Sequence, residues 1–322
     1  MIEISHLTKK YGDHYAVDDI SFTAEPGKVY GFLGPNGAGK STTMNIITGY
    51  IGASSGTVKI NEHDILLDAE EAKKQIGYLP ELPPVYSDMT VYEYLKFCAE
   101  LKKISKLSRA AAIDEVMEMT KVTSMKNRLI KNLSKGYKQR VGLAQALLSN
   151  PEVIILDEPS VGLDPEQIIE MRELIRSLKY NHTVILSSHI LSEVQEVCDY
   201  VFIINNGKLV ASDSIENLES RFNSNQVIEL TTLGEKELIL STLDNIENVK
   251  SVKVENTDNE NNISLSIEIE GNNDIRADIS LALSSVGIPV MGMALKSSSL
   301  EDIFLELTKK TKEEVVEDVS DL

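Results

Sequence analysis

Residues 34–41, which read GPNGAGKS, constrain the fold of this chain more than any other part of its sequence. They match the pattern GxxxxGK(S/T), whose backbone N–H groups surround the phosphates of a nucleotide. The apolar run before them, residues 28–33, predicts a buried strand, and residues 41–48 predict the start of a helix. An ordinary glycine turn is the alternative. The order of strand, glycine loop and helix favours a phosphate-binding site.

Each residue type in this phosphate loop has a physical reason to be there. Glycine allows backbone turns and a close approach to the ligand that a Cβ would block. Lys40 can reach the β- and γ-phosphates, and Ser41 can offer its hydroxyl to Mg²⁺. The residues predicted to contact the nucleotide in this segment are Gly34, Pro35, Asn36, Gly37, Ala38, Gly39, Lys40, Ser41 and Thr42.

Two acidic residues, Asp157 and Glu158, follow an apolar run at residues 153–156. The run predicts a buried strand, and open parallel sheets bind ligands at the carboxyl ends of their strands. Asp157 can hold Mg²⁺ through water, and Glu158 can polarise the attacking water. A strand followed by an ordinary acidic turn is the alternative for this segment taken alone.

Two further segments carry candidate ligand contacts. His189 follows a second predicted strand, residues 183–188, where a histidine can touch a γ-phosphate. A surface or capping histidine is the alternative. Ser134 precedes the apolar-periodic run 141–148 and predicts the N-cap of a helix whose N-terminus attracts anions. Plain helix capping explains Ser134 equally well.

Taken together, these segments resemble the ATP-binding subunit of an ABC transporter over residues 1–220. The order is the family's: phosphate loop, switch loop ending at Glu81, signature at 133–137, acidic strand, D-loop at 160–164 and switch histidine. Tyr11, just after the first strand, matches the family's adenine-stacking position. The resemblance implies catalytic roles for Glu158 and His189, Mg²⁺ ligation by Ser41, Glu81 and Asp157, and further nucleotide contacts from Tyr11, Val17, Ser134, Gly136 and Asp164.

The same resemblance predicts an α/β fold, a P-loop NTPase core whose helical subdomain lies at about residues 90–150. It implies an ATP hydrolase with ATP and Mg²⁺ as cofactors. In the family, two ATPase subunits sandwich ATP in a head-to-tail dimer and drive separate membrane subunits through a groove beside the switch loop. Here that groove would include residues 81–86 and the helix after Thr90. The resemblance therefore implies a location at the cytoplasmic face of the membrane. It identifies neither the transported substrate nor whether the second ATPase is another copy of this chain.

Two positions depart from the family's usual pattern. The switch loop ends in Glu81, where the family usually has Gln, so a negative charge is added beside the phosphates. The signature reads LSKGY in place of LSGGQ. Ser134 and Gly136, which face the γ-phosphate in the family, are kept, and Lys135 adds a positive charge near it. Because Glu158 and His189 are both present, we predict an active enzyme.

Short-range patterns predict several elements outside the site. Residues 2–7 and 17–24 predict an antiparallel strand pair. Thr90 and Glu93 form a capping-box pattern before a helix whose apolar face includes Tyr94, Phe97, Cys98 and Leu101. A second helix is predicted near residues 108–120, and one follows His189. The dipeptide Asn206-Gly207 predicts a hairpin between strands 200–205 and 208–212.

Residues 221–310 predict a separate accessory domain. Their order of strand, helix, strand, strand, helix and strand is that of a ferredoxin-like α+β domain. The predicted strands are 226–232, 249–255, 263–270 and 290–295, and the helices are 235–243 and 274–286, followed by a helix at 299–308. That last helix resembles the ending of ATPases from ABC-2-type exporters, of the multidrug or gliding-motility kind, and this favours export over uptake. A plain amphipathic helix, with Leu300, Ile303, Phe304 and Leu307 on one face, is the alternative.

Charge and composition argue against several classes of protein. The net charge is −18, residues 225–322 hold 20 acidic and 8 basic side chains, and residues 311–322 read as an acidic tail. No basic stripe suited to nucleic acid is visible. No apolar stretch approaches the ~20 residues that span a bilayer, and the N-terminus lacks a signal-peptide pattern. Cys98 and Cys198 give neither a disulfide framework nor metal spacing, which suits a reducing cytosol.

Three other functions remain as alternatives. A DNA-remodelling ATPase shares the core but carries a long coiled coil inside it, and only about 90 residues separate Lys40 from Ser134. A translation factor of the superfamily needs two ATPase cores, whereas this chain has a single phosphate loop. A non-catalytic regulator is disfavoured by Asp157, Glu158 and His189.

Overall fold

The computed structural model describes residues 1–222, 227–257, 262–270, 274–296, 300–305 and 307. Contacts between Cα atoms separate a larger unit containing Met1–Ile215 from a smaller unit, Glu216–Glu306. The predicted domain boundaries, at residues 220 and 310, stay predictions. Among the described residues, no helix combines the length and the apolar character needed to cross a bilayer.

A six-stranded sheet forms the centre of the larger unit. Its strands are β3 (Val29–Leu33), β6 (Ile76–Leu79), β7 (Val153–Asp157), β8 (Thr183–Ser188), β9 (Tyr200–Asn205) and β10 (Lys208–Ser214). Their order is β10-β9-β3-β8-β7-β6, with β10 antiparallel and the other five parallel. Every residue of β3, β7 and β8 is buried, which is typical of parallel strands covered on both faces.

The register of this sheet brings three predicted site segments to one edge. Leu33, the last residue of β3, lies opposite Ser188, the last residue of β8. Asp157 at the end of β7 lies opposite Ser187. The phosphate loop, the acidic pair and His189 therefore all begin at the same carboxyl edge, although they are far apart in the sequence.

A second, antiparallel sheet packs beside the first. It contains β1 (Ile2–Tyr11), β2 (His14–Ala24), β4 (Ser55–Ile60) and β5 (His63–Asp64) in the order β2-β1-β4-β5. The predicted pairing of the first two strands is confirmed. Apolar side chains from both sheets form one core cluster, in which the rings of Tyr30 and Phe202 stack with centroids 5.4 Å apart.

The larger unit holds seven α-helices among its described residues. These are α1 (Lys40–Ile47), α2 (Ala69–Lys74), α3 (Val91–Leu101), α4 (Arg109–Met119), α5 (Lys135–Leu147), α6 (Pro165–Leu178) and α7 (Leu191–Val197). An eighth helix, α8 (Ile215–Phe222), begins at the last residue of this stretch and otherwise belongs to the smaller unit. Two 3₁₀ turns, Thr123–Met125 and Ile130–Asn132, precede α5. Helix α8, which spans the predicted boundary at residue 220, was not predicted from the sequence.

The capping box of α3 is confirmed, but one residue of its predicted apolar face is wrong. The Thr90 side chain accepts from the Glu93 N–H, and the Glu93 carboxylate accepts from the Thr90 N–H. Leu101 is 66% exposed. The next residue, Lys102, turns inward instead, because its Nζ donates to the carbonyl oxygens of Ala146 and Leu148 at the end of α5.

The smaller unit has the predicted ferredoxin-like fold. Its elements are β11 (Val227–Leu233), α9 (Lys236–Leu243), β12 (Val249–Thr257), β13 (Asn262–Ile269), α10 (Arg276–Ser285) and β14 (Val290–Lys296). The strands form an antiparallel sheet in the order β12-β13-β11-β14. Ile228, Leu265 and Ile279 belong to its buried cluster. Residues 300–305 are helical, with Leu300 and Ile303 buried. Residues 258–261, between β12 and β13, lie outside the described residues.

Candidate nucleotide-binding site

The phosphate loop joins β3 to α1, as predicted, and two of its glycines have backbone angles that favour glycine. Gly37 has φ 82° and Gly39 has φ 110°. A Cβ at Gly39 would collide with the carbonyl oxygen of Ala16, whereas a Cβ at Gly37 would meet open space. The loop is therefore packed closely on the protein side at Gly39 and is open at Gly37, where a ligand can approach.

The loop ends at the N-terminus of α1, where several backbone donors remain free for a ligand. The first intrahelical bond runs from Thr43 N to Gly39 O at 2.9 Å. The N–H groups of Lys40, Ser41 and Thr42 therefore have no acceptor within the helix. Together with the helix dipole, they form an anion site of the kind that binds phosphate.

Lys40 lies within the loop that it terminates. Its side-chain Nζ donates to Gly34 O at 2.7 Å and to Pro35 O at 3.3 Å, and the residue is only 7% exposed. Burial lowers the pKa of Lys40, while the nearby charges of Glu158 and Asp157 act to raise it. The cation and both acidic residues predicted for the site are thus brought together.

Asp157 is a buried acid with an unsatisfied oxygen. It is 6% exposed, and its Oδ1 has no hydrogen-bond partner among the described residues. Burial raises the pKa of Asp157, and the charge of Glu81 acts in the same direction. Glu81 itself is exposed, and its carbonyl oxygen accepts from Gln139 Nε2 at 3.3 Å. The switch loop therefore brings a second carboxylate near Asp157.

These residues fit a hard cation that is completed by other ligands. A buried carboxylate oxygen without a partner suits Mg²⁺, which prefers oxygen ligands and usually also binds substrate phosphates and water. Within the described ranges, no three His, Cys, Asp or Glu side chains are grouped so as to hold a metal ion by themselves. A metal here would depend on phosphate oxygens and on hydroxyl ligands such as that of Ser41.

Glu158 and His189, the predicted catalytic residues, are in direct contact. Glu158 Oε2 lies 2.8 Å from His189 Nδ1, although the two residues are 31 positions apart. The Glu158 N–H also donates to Ser187 O at 3.0 Å. Glu158 has φ 49°, which is uncommon for a residue with a Cβ. Its side chain is 12% exposed and that of His189 is 48% exposed, so the pair lies at an open edge.

The predicted adenine-side residues differ in their access to a ligand. Tyr11 is 52% exposed, and Lys9 Nζ lies 5.1 Å from the centroid of its ring. An exposed ring of this kind can stack on a base. Val17 is completely buried within the main core cluster, so its side chain offers no surface for such a contact.

The signature and D-loop segments contact each other. Ser134 caps α5, accepting from Tyr137 N at 3.4 Å, and Asp164 caps α6, accepting from Gln167 N at 2.9 Å. A Cβ at Gly136 would collide with the Gln167 side chain. In the described part of the chain, no hydrogen bond joins residues 134–136 to the phosphate loop. The predicted roles of these residues stay predictions.

Sequence reasoning missed a buried polar cluster behind the catalytic pair. The carboxylate of Glu193, on α7, accepts from the hydroxyls of Ser160 and Ser188. Ser160 had been identified only as part of the D-loop, and no short-range pattern marks Glu193. The only sequence signal is that Glu193 is an acidic residue in the first turn of a helix. Many ordinary surface residues share that feature.

Comparisons with known proteins agree with this geometry. The family model described as "ABC transporter" matches residues 17–161. An uncharacterized ABC transporter ATP-binding protein, YhcH of Bacillus subtilis, is 35% identical and covers 98% of each chain. The bacitracin transport ATP-binding protein BcrA of Bacillus licheniformis is 41% identical over 69% of this chain and 72% of its own.

A bacterial ABC transporter cassette, MJ0796, is similar in structure. Its dimeric form and its dimeric post-hydrolysis form bound to ADP and Pi each match with a TM-score of 0.61 and 25% identity. Each covers 67% of this chain and 99% of the cassette. With a relative that matches nearly end to end, these findings mean that this chain belongs to the ABC transporter family, as an ATP-binding subunit that hydrolyses ATP.

Proposed function

We propose that this chain powers the export of a substrate through separate membrane subunits, and that it does so as one half of an ATP-driven head-to-tail dimer. The observation that carries the proposal is the meeting, at one edge of a parallel sheet, of the phosphate loop with the Glu158–His189 pair. A nucleotide bound in the loop would present its γ-phosphate toward that edge. The site therefore favours hydrolysis over simple binding.

The residues of this site have separate tasks in the proposed reaction. The N–H groups at the start of α1 and the Lys40 ammonium hold the β- and γ-phosphates. Glu158 accepts a proton from the attacking water and orients it. His189, which contacts Glu158 Oε2, holds that carboxylate and reaches the γ-phosphate. Tyr11 stacks on the adenine ring, since its own ring is exposed.

Ser41, Asp157 and Glu81 are the residues proposed to hold Mg²⁺. The unpartnered, buried Oδ1 of Asp157 supports this assignment. When bound, the metal neutralises negative charge on the phosphate oxygens. Glu81 contributes a carboxylate where the family's usual residue is neutral, so this metal site carries one more negative charge than usual.

The dimer supplies the remaining proposed contacts. Ser134, Gly136 and Asp164 lie on segments that form no hydrogen bond with the phosphate loop among the described residues of this chain. In a head-to-tail arrangement, these segments of one subunit would cover the nucleotide held by the other. The dimeric state of the similar cassette supports this arrangement. The second subunit is either another copy or a related ATPase.

The membrane partner is proposed to bind beside the switch loop. Leu82 is 75% exposed and Tyr86 is 53% exposed, and the Tyr86 ring packs edge-on against Tyr94 and Phe97 of α3. This apolar surface suits a protein partner. That partner would hold the chain at the cytoplasmic face of the membrane. The bacitracin transport relative supports export. The accessory domain at 221–310 would act on assembly of the complex.

The test is affinity purification of the full chain from detergent-solubilised membranes of its own host, with ATPase assays with and without Mg²⁺. We expect Mg²⁺-dependent hydrolysis and a co-purifying integral membrane protein that is lost when Leu82 and Tyr86 are both changed to Ser. Leu238→Ser, an exposed residue of α9, is the matched control. Recovery of nucleic acid in place of a membrane protein would overturn the proposal.

Replacement of Glu81 by glutamine should change the metal dependence of nucleotide binding. The variant restores the family's usual residue and removes one negative charge close to Asp157. We therefore expect tighter MgATP binding or saturation at a lower Mg²⁺ concentration, measured by titration calorimetry. Glu62→Gln, at an exposed position outside the site, is the control. If both quantities are unchanged in Glu81→Gln, Glu81 lies outside the metal's ligands.

A further inference from the structure

A buried carboxylate, Glu193, connects two segments next to the catalytic pair: the D-loop after Glu158, and the end of β8, which leads into His189. Glu193 is 1% exposed, and its neighbours Ser160 and Ser188 are 3% and 0% exposed. One carboxylate oxygen accepts from the Ser160 hydroxyl, and the other accepts from the Ser188 hydroxyl at 2.7 Å. Ser188 Oγ in turn accepts from Ile190 N at 3.1 Å. Both oxygens of Glu193 thus accept a hydrogen bond, one from the D-loop and the other from the end of β8.

The two serines lie close to the catalytic residues along the chain. Ser160 is two residues after Glu158 and begins the D-loop, and Ser188 immediately precedes His189. The D-loop turn is closed by bonds from Val161 N to Glu158 O and from Leu163 N to Ser160 O, each 3.2 Å long. A shift of either serine would therefore move the backbone of its catalytic neighbour.

The packing of the core does not by itself account for this carboxylate. Removing a carboxylate from water is unfavourable, and an apolar residue of similar size commonly packs as well at a buried position. None of the ion pairs between described residues includes Glu193. The two hydroxyl donors satisfy the carboxylate, and they come from the D-loop and the end of β8, whose relative position matters for catalysis.

We infer that Glu193 is a positioning residue, which fixes the D-loop relative to the end of β8 so that Glu158 and His189 meet. It touches neither of the two side chains and acts through Ser160 and Ser188. The inference rests on the proposed roles of Glu158 and His189. Glu193 lies on α7, outside every motif recognised in the sequence, and would join the residues that determine turnover.

The first test is Glu193→Ala in the full chain, with kcat, KM for ATP and melting temperature measured on the same preparation. We expect kcat to fall about 10- to 100-fold, because a misplacement of about 1 Å can reduce a rate by about that much. KM should change less than about twofold, because no hydrogen bond or ion pair among the described residues joins Glu193 to the phosphate loop. Glu193→Gln should recover part of kcat, since its amide can still bond both hydroxyls.

The matched control is Glu196→Gln on the same helix. Glu196 is exposed and pairs with Arg172 at 2.7 Å, away from the two serines. Its kcat should equal that of the unchanged chain. A folded Glu193→Ala with kcat within twofold of the unchanged chain would overturn the inference. If Glu158→Gln also stayed active, the proposed function itself would be wrong; if it were inactive, only the role of Glu193 would be rejected.

Serine variants test the same idea should Glu193→Ala fail to fold. Ser160→Ala and Ser188→Ala each remove one hydroxyl and leave the carboxylate in place. We expect each to lower kcat, and the double variant to lower it by less than the product of the two separate factors, because both act through one group. If the two factors by which kcat falls multiply fully in the double variant, or if the single variants keep a normal kcat, then the two segments are positioned independently of Glu193.

Discussion

Replacement of Glu158 by glutamine is expected to abolish turnover while ATP binding is kept. The side chain keeps its size and can still hydrogen-bond to His189, but it can no longer accept a proton from water. Loss of a positioned general base typically lowers a rate about 10²- to 10⁴-fold. Single-turnover ATP hydrolysis gives the rate, and equilibrium binding of a fluorescent ATP analogue gives the affinity, which we expect to change less than about threefold.

The same variant also tests the dimer. If hydrolysis is what allows the ATP sandwich to open, the Glu158→Gln chain should accumulate as an ATP-bound dimer during size-exclusion chromatography. Glu173→Gln, at an exposed position of α6, is the control and should behave like the unchanged chain. Near-normal hydrolysis by Glu158→Gln would reject Glu158 as the base, and a persistent monomer in ATP would contradict the sandwich.

Replacement of Lys40 by alanine should instead weaken ATP binding itself. The Lys40 ammonium is 7% exposed and lies within the loop that would hold the phosphates. A hydrogen bond to a charged group contributes about 1.5–3 kcal/mol, so its removal should weaken affinity about 10- to 100-fold. Calorimetric titration with ATP measures this loss directly.

Two controls separate this effect from a loss of structure. Lys28→Ala removes an exposed lysine that pairs with Glu25 and should leave affinity unchanged. A cooperative melt of Lys40→Ala would show that the loop still folds after Gly34 O loses its donor. Unchanged ATP affinity in a folded Lys40→Ala would disprove the assignment of residues 34–41 as the phosphate site.

Elements encoded by neighbouring residues were predicted well. The phosphate loop, the capping box at Thr90 and the Asn206-Gly207 hairpin each depend on backbone angles and hydrogen bonds within a few residues. The ferredoxin-like order of the smaller unit followed from alternating and helical apolar periods. In each case the physical cause acts over a short distance along the chain, so a single sequence contains the information.

Features that depend on distant residues were not predictable in the same way. The contact between Glu158 and His189 arises from the register of β7 and β8, which the sequence does not display. Glu193 depends on two serines from different segments. Leu101 fits the helical period of α3, yet Lys102 occupies the inward position, because the carbonyls at the end of α5 attract an ammonium group.

The backbone of Glu158 has a consequence for how this fold can vary. Its φ of 49° lies in the left-handed region, which for a residue with a Cβ is disfavoured by about 1–3 kcal/mol. Glycine or asparagine would relax that strain, but neither can replace the carboxylate that faces His189. The residue that would give the highest thermal stability at this position is therefore not the residue that supports ATP hydrolysis. Attempts to make the protein more thermostable should leave position 158 alone and seek their gains elsewhere.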